Sequence, residues 1–104
     1  MENRRRFSRF SNKLKAQYFL SESPTNRKEC TVVNISRDGM GLELHTQEKI
    51  EVGSIIHLEI LIIGEFETIL FKGKLIWQTR KGNNFIGGIK LEKMLDEITF
   101  AKLS

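Results

Sequence analysis

The sequence predicts an all-β domain: a six-stranded antiparallel β-barrel with a flexible N-terminal arm and a C-terminal α-helix. Three observations lead there. Six short segments are apolar on alternate positions, the pattern of half-buried strands. Clusters of turn-forming residues separate them. Only after Glu92 does the apolar period become helical. Closing such strands into a barrel removes exposed edges, a hazard for an apolar run such as 55–63.

Residues 1–12 carry no apolar period and are expected to form a flexible basic arm, leaving 13–104 for the barrel and helix. Lys13 to Leu20 alternates, with Leu14, Ala16, Tyr18 and Leu20 on one face. Ser21 to Arg27 holds the only proline, Pro24, among polar residues and predicts a loop. Lys28 to Ile35, rich in Thr and Val, is the second strand. A turn at Asn34–Gly39 leads into Met40 to Leu44, where Gly41 signals a bulge or a close backbone approach.

Gln47 to Gly53 is polar and turn-like. Ile55 to Ile63 places Ile56, Leu58, Ile60 and Ile62 on an inner face. Gly64-Glu65 is a tight connection. Glu67 to Trp77 continues with Ile69, Phe71, Gly73, Leu75 and Trp77 in phase. Lys81-Gly82-Asn83-Asn84 marks a hairpin, and Phe85 to Leu91 is the last strand. In the final segment Met94, Ile98 and Ala101 fall on one helical stripe.

At 104 residues the chain is one domain with mass for a single core. Hydrophobic content of 39% argues against disorder. The charge is unevenly placed. Residues 1–15 hold Arg4, Arg5, Arg6, Arg9, Lys13 and Lys15 against Glu2 alone, so this stretch carries +5 and the rest −1 of the net +4. An anionic partner should therefore meet the arm first. A general nucleic-acid binder spreads basic residues over a face, which disfavours nucleic acid as the partner.

Other classes find little support. Cys30 is the only cysteine, so no internal disulfide is expected, which fits a reducing, cytoplasmic location. No apolar segment follows the basic N-terminus as in a signal peptide. The longest apolar stretch, Leu58 to Gly64, contains Glu59 and is too short to cross a membrane. His45 and His57 fall on different strands without ligand spacing, so no metal is expected. No nucleophile–base pair and no phosphate-cradling glycine loop is found, and neither an enzyme nor a cofactor is predicted.

Two elements carry specific chemistry. The first is Arg4-Arg5-Arg6-Phe7-Ser8-Arg9, containing Arg5-x-x-x-Arg9. A guanidinium offers a planar fork of donors that fits the O6/N7 edge of guanine or a phosphate. The second is Asn34-Ile35-Ser36-Arg37-Asp38-Gly39. The Asn34 amide can complement a purine edge. The Ser36 hydroxyl can donate to a phosphate or cap the turn. Gly39 permits positive φ and a close ligand approach. Trp77, beside the basic Arg80-Lys81, either plugs the barrel or stacks on a base, and both readings stand at a barrel rim.

In this order and separation, the two elements resemble the signature of the PilZ family, bacterial receptor domains for cyclic di-GMP. The resemblance implies a six-stranded barrel with a C-terminal helix. It implies a ligand site built from Arg4, Arg5, Arg9, Asn34, Ser36, Gly39, Gly41 and Trp77. Gly88-Ile89-Lys90-Leu91 takes the place of a Gly-x-Arg-Phe-like strand in that family, and no ligand role is assigned to it. An arginine just before Arg5-x-x-x-Arg9, here Arg4, is associated in the family with two ligand molecules per chain. A domain with no output module of its own then passes its signal to a downstream protein. Two other readings remain open: a small nucleic-acid-binding barrel, and a degenerate family member that only docks to proteins.

Overall fold

The computed structural model describes residues 13–62 and 66–103. The arginine arm and the Gly64-Glu65 connection lie outside the described residues. Within them the chain forms β1 (Leu14–Leu20), β2 (Ser23–Ile35), β3 (Gly39–Leu44), β4 (Ile55–Ile62), β5 (Glu67–Lys81), β6 (Asn84–Leu91) and α1 (Glu97–Lys102). The strands close into a barrel in the order β1-β2-β3-β6-β5-β4, with β4 returning to β1. Every pairing is antiparallel.

Alternation builds the core. Ala16 and Tyr18 of β1, Cys30 and Val32 of β2, and Leu42 and Leu44 of β3 point inward. They meet Ile56, Leu58 and Ile60 of β4, Leu75 of β5, and Phe85 and Ile89 of β6. Their removal from water is the main stabilising contribution, at roughly 1.5–3 kcal/mol for each large side chain. Leu95 and Leu103 close the mouth where β6 ends. Lys102 on α1 pairs with Glu67 at 3.2 Å, fixing the helix to the start of β5. Ile50 enters the core from the long β3–β4 connection, with its backbone bonded to the Gln78 side chain.

The strand positions follow the sequence pattern with three departures. The segment 21–27, expected to be a loop, is mostly strand. Only Ser21 and Glu22 turn, because Leu20 already pairs with Ser23. The polar residues Thr25, Asn26 and Arg27 face solvent, and a ladder tolerates any outward side chain. Pro24 falls where the β1–β2 register slips, a place where a missing backbone donor costs little.

β5 runs on past Trp77 to Lys81, and the hairpin turns at Gly82-Asn83, with Lys81 opposite Asn84 and Gly82 at φ +61°. The helix is shorter than its apolar stripe. The chain bends at Glu92 and Lys93 and stays out of the helix up to Leu95, because Glu92 N–H donates to Lys72 and Leu95 N–H donates to Arg37. Asp96 then caps α1 by accepting from Thr99 N–H at 2.7 Å. This start sets the phase, so Met94 and Ile98 point to solvent at 58% and 72% exposure. Ala101 is exposed too, and Leu95 and Leu103 are the residues that are buried.

Candidate functional site

Two β-bulges create the site. On β2, Val32 faces Leu42 but Asn34 faces Gly41, so one extra residue intervenes. On β5, Leu75 faces Ile89 but Trp77 faces Gly88, again with one extra residue. A slip of one residue moves the next side chain to the other face of the sheet. Asn34 and Trp77 would otherwise share the inner face with Val32 and Leu75. Instead both stand outside. Trp77 is 47% exposed, so it does not plug the barrel, and the β5 bulge is the reason.

The two residues lie at the ends of one row. Asn34 is opposite Gly41, Gly41 is opposite Gly88, and Gly88 is opposite Trp77, across β2, β3, β6 and β5. The two central positions have no side chains. A Cβ on Gly41 would lie 2.7 Å from the Asn34 amide atoms, and a Cβ on Gly88 would collide with the indole of Trp77. Both glycines are buried, and their cover comes from these neighbours. The result is a short trench on the outer wall, with glycine floor, an amide at one end and an indole at the other.

The turn at 36–39 closes one side of the trench. Ser36 N–H donates to Gly39 carbonyl at 2.9 Å. The Ser36 hydroxyl donates to the Asp38 carboxylate at 3.1 Å and shares with the Gly39 carbonyl at 3.3 Å, so in this state it caps the turn. Gly39 is not at positive φ; its requirement is room, since a Cβ there would sit 2.8 Å from Ile89 carbonyl oxygen. The turn is tied down from behind. Leu91 N–H donates to Asp38, Leu95 N–H donates to Arg37, and Arg37 Nε donates to the Leu95 carbonyl at 2.8 Å. Beside this tie, hydrogen bonding from Thr99 lowers the Asp96 carboxyl below its ordinary range, with a smaller pull from Arg37.

A cavity of about 280 Å³ is lined by Asn34, Ser36, Gly39, Gly41 and Trp77 together. These are all the expected site residues that fall among the described ones. Arg4, Arg5 and Arg9 lie outside the described residues. The strand that follows them begins at Leu14, opposite Val32, two residues before Asn34. Gly88, Lys90, Ile76 and Asp38 also line the cavity, and the sequence reading gave none of them a ligand role. The signal for Gly88 was present: glycine inside a strand, here the pair Gly87-Gly88, marks a close backbone approach.

Other candidate chemistry is absent from this surface. Burial pushes the Cys30 thiol up to about 12, so it stays neutral and unreactive. His45 bonds Thr31 at 3.1 Å, and His57 bonds Ser21 at 2.8 Å and stacks on Phe19. Among the described residues no group of His, Cys, Asp and Glu could hold a metal ion. No helix among them is long and apolar enough to cross a membrane. A larger cavity of about 440 Å³, across the outer faces of β1, β2 and β4, contains none of the motif residues.

Comparison with known proteins gives a consistent result. A structure of the Bacillus subtilis inhibitor of motility (MotI/DgrA) superposes with a TM-score of 0.71 at 17% identity, covering 98% of this chain and 49% of that one. The chain thus spans about half the length of that protein. The PilZ domain of YcgR from Escherichia coli, solved with c-di-GMP, superposes with a TM-score of 0.70 at 17% identity, covering 97% of this chain and 87% of that one. No curated protein matches the sequence. The family profile described as PilZ domain matches residues 3–104. PilZ domains form a family of cyclic di-GMP receptors, binding domains rather than enzymes. With nearly its whole length matched and a closed six-stranded barrel of the same fold, the chain belongs to the PilZ domain family.

Proposed function

We propose that this chain is a cyclic di-GMP receptor whose ligand sits in the trench between Asn34 and Trp77 and is clamped by the arginines of residues 4–9. The carrying observation is the glycine-floored row Asn34–Gly41–Gly88–Trp77. It offers an amide for a purine edge, an aromatic face for stacking, and backbone open to close approach. Stacking one base on Trp77 contributes roughly 1–3 kcal/mol. Arg5 and Arg9 supply bidentate donors for guanine and phosphate, and Arg4 adds the charge that two stacked ligand molecules require. Ser36 exchanges its donation to Asp38 for a ligand phosphate oxygen, and Gly39 and Gly41 leave room for the ligand.

The start of β1 at Leu14, opposite Val32 and two residues from Asn34, supports this arrangement. The sequence carries a charge of +5 over residues 1–15, which favours an anionic ligand. Ligand binding orders residues 3–12 over the barrel, and the altered surface is read by a downstream protein. Receptor function, without catalysis, in the cytoplasm is the reading that fits these features together.

Calorimetric titration with cyclic di-GMP tests the proposal. The native chain should bind, and Arg5→Ala or Arg9→Ala should each weaken binding by about 1.5–3 kcal/mol, the range for hydrogen bonds to charged groups. Deleting residues 1–9 should abolish binding and leave the thermal transition of the ligand-free barrel nearly unchanged. Unchanged affinity in the Arg5→Ala/Arg9→Ala double variant sinks the assignment.

A further inference from the structure

One row beyond the glycine trench, two lysines face each other. Lys74 of β5 is directly opposite Lys90 of β6, both on the outer wall and both exposed. Like charges directly opposite in a ladder repel. Among the described residues no carboxylate relieves them. The adjacent Glu92 is engaged by Lys72, at 3.8 Å. The lysine row lies two residues from the Gly88–Trp77 row along β6, which is roughly 7 Å at strand rise.

A second cavity, about 290 Å³, has Gly73, Lys74, Ile76 and Lys90 in its wall, together with the paired Lys72 and Glu92. Lys90 and Ile76 also line the motif cavity, so the two cavities are neighbours on one face. Gly73 keeps the floor low, since a Cβ there would lie 2.8 Å from Lys90 carbonyl oxygen. The combination is a shallow, largely apolar pocket beside the trench, with two ammonium groups at its edge that make no ion pair among the described residues.

We propose that Lys74 and Lys90 form a phosphate subsite of the same ligand site, taking a phosphodiester of the cyclic dinucleotide whose base lies in the trench. This rests on the receptor reading above. An ammonium is a compact point charge that suits a non-bridging phosphate oxygen without demanding one orientation. A single phosphodiester between the two lysines replaces repulsion with two attractions. Lys90 reaches both cavities and is the more central of the pair.

The test is titration of the native chain and of Lys74→Gln, Lys90→Gln, the double variant and Lys72→Gln with cyclic di-GMP at fixed ionic strength. Each of the first two should weaken binding by about three- to tenfold, between an exposed ion pair and a buried charge-assisted bond. The double variant should lose at least about tenfold. Lys72→Gln, on the same face but paired with Glu92, should stay within about twofold. The ligand-free melting temperature should hold or rise in Lys74→Gln and Lys90→Gln, since a repulsion is removed. If the native chain binds and both variants match it, the subsite is wrong while the receptor reading stands. If Lys72→Gln loses as much as the others, the effect is a diffuse field and the subsite is likewise overturned. Failure of the native chain to bind cyclic di-GMP removes the receptor reading and the subsite together.

Discussion

Gly41 on β3 and Gly88 on β6 stand directly opposite each other in the ladder, and each is covered from its far side by a bulge-displaced residue. Among the described residues the pair is the one place on the outer wall where two neighbouring strands both lack side chains. Any Cβ at either position would displace its cover, Asn34 or Trp77. Two glycines and two bulges therefore act as one device that presents an amide and an indole across an open floor.

The Gly88 contact should be testable by itself. Gly88→Ala forces the Trp77 indole off the strand and should cost about 1–3 kcal/mol in stability, the usual range for overpacking. Trp77→Ala should recover most of that loss in the double variant, because the alanine then has space. Denaturant midpoints of the four species give the coupling. Simple additivity would mean that the indole does not occupy this position. Both single variants should also weaken cyclic di-GMP binding.

Arg4 bears on stoichiometry. Two stacked dianionic ligands repel one another and need a cation that one ligand does not. We expect two cyclic di-GMP molecules per native chain and a shift towards one in Arg4→Ala. A calorimetric ratio of one for the native chain contradicts this.

Arg37 should act through position alone. Its guanidinium spans from the motif turn to the Leu95 carbonyl, and the reciprocal backbone bond from Leu95 returns to Arg37. Arg37→Ala should cost about 1 kcal/mol, as for an ordinary hydrogen bond. The loss should be local: faster amide exchange at Leu91, Leu95 and Phe100, with β4 unchanged. Equal loss of protection in β4 would show that the tie supports the whole barrel instead.

Much of this architecture was legible in the sequence because period-two alternation reports directly on which face is buried. Ala16, Tyr18 and Leu58 needed no tertiary information. The motif residues Asn34, Ser36, Gly39 and Gly41 were legible as a group, and the structure places them around one cavity. The outward turn of Trp77 was not. Its spacing from Gly73 and Leu75 is in phase, and only the unpaired extra residue on β5 reverses it. A bulge depends on the partner strand, which alternation within one strand cannot report. The same holds for Lys74 and Lys90, sixteen positions apart in sequence and adjacent only through the β5–β6 register. The helix stripe failed for a different reason: Asp96 starts α1 late, and the irregular 92–95 segment changes the face that Met94 presents.

The chain's only tyrosine and only cysteine should make the barrel sensitive to alkali. Burial pushes the Tyr18 phenol from its ordinary 10.0 up to about 12, with smaller contributions from Cys30 and Glu48. Burial likewise pushes the Cys30 thiol from 9.0 up to about 12. In the unfolded chain both groups lose their protons near the ordinary values, while the folded chain keeps them. The folded state therefore binds more protons between about pH 9 and 12, and stability falls as pH rises through that window. The slope reaches about 1.4 kcal/mol per pH unit for each group. Tyr18→Phe should flatten it above pH 10, and Cys30→Ala from pH 9 upward. At pH 7 Tyr18→Phe should be close to neutral, since the buried hydroxyl has no hydrogen-bond partner among the described residues. Urea midpoints of the three proteins at neutral pH and near pH 10.5 decide the matter. Parallel losses in all three would assign the alkaline effect to other groups.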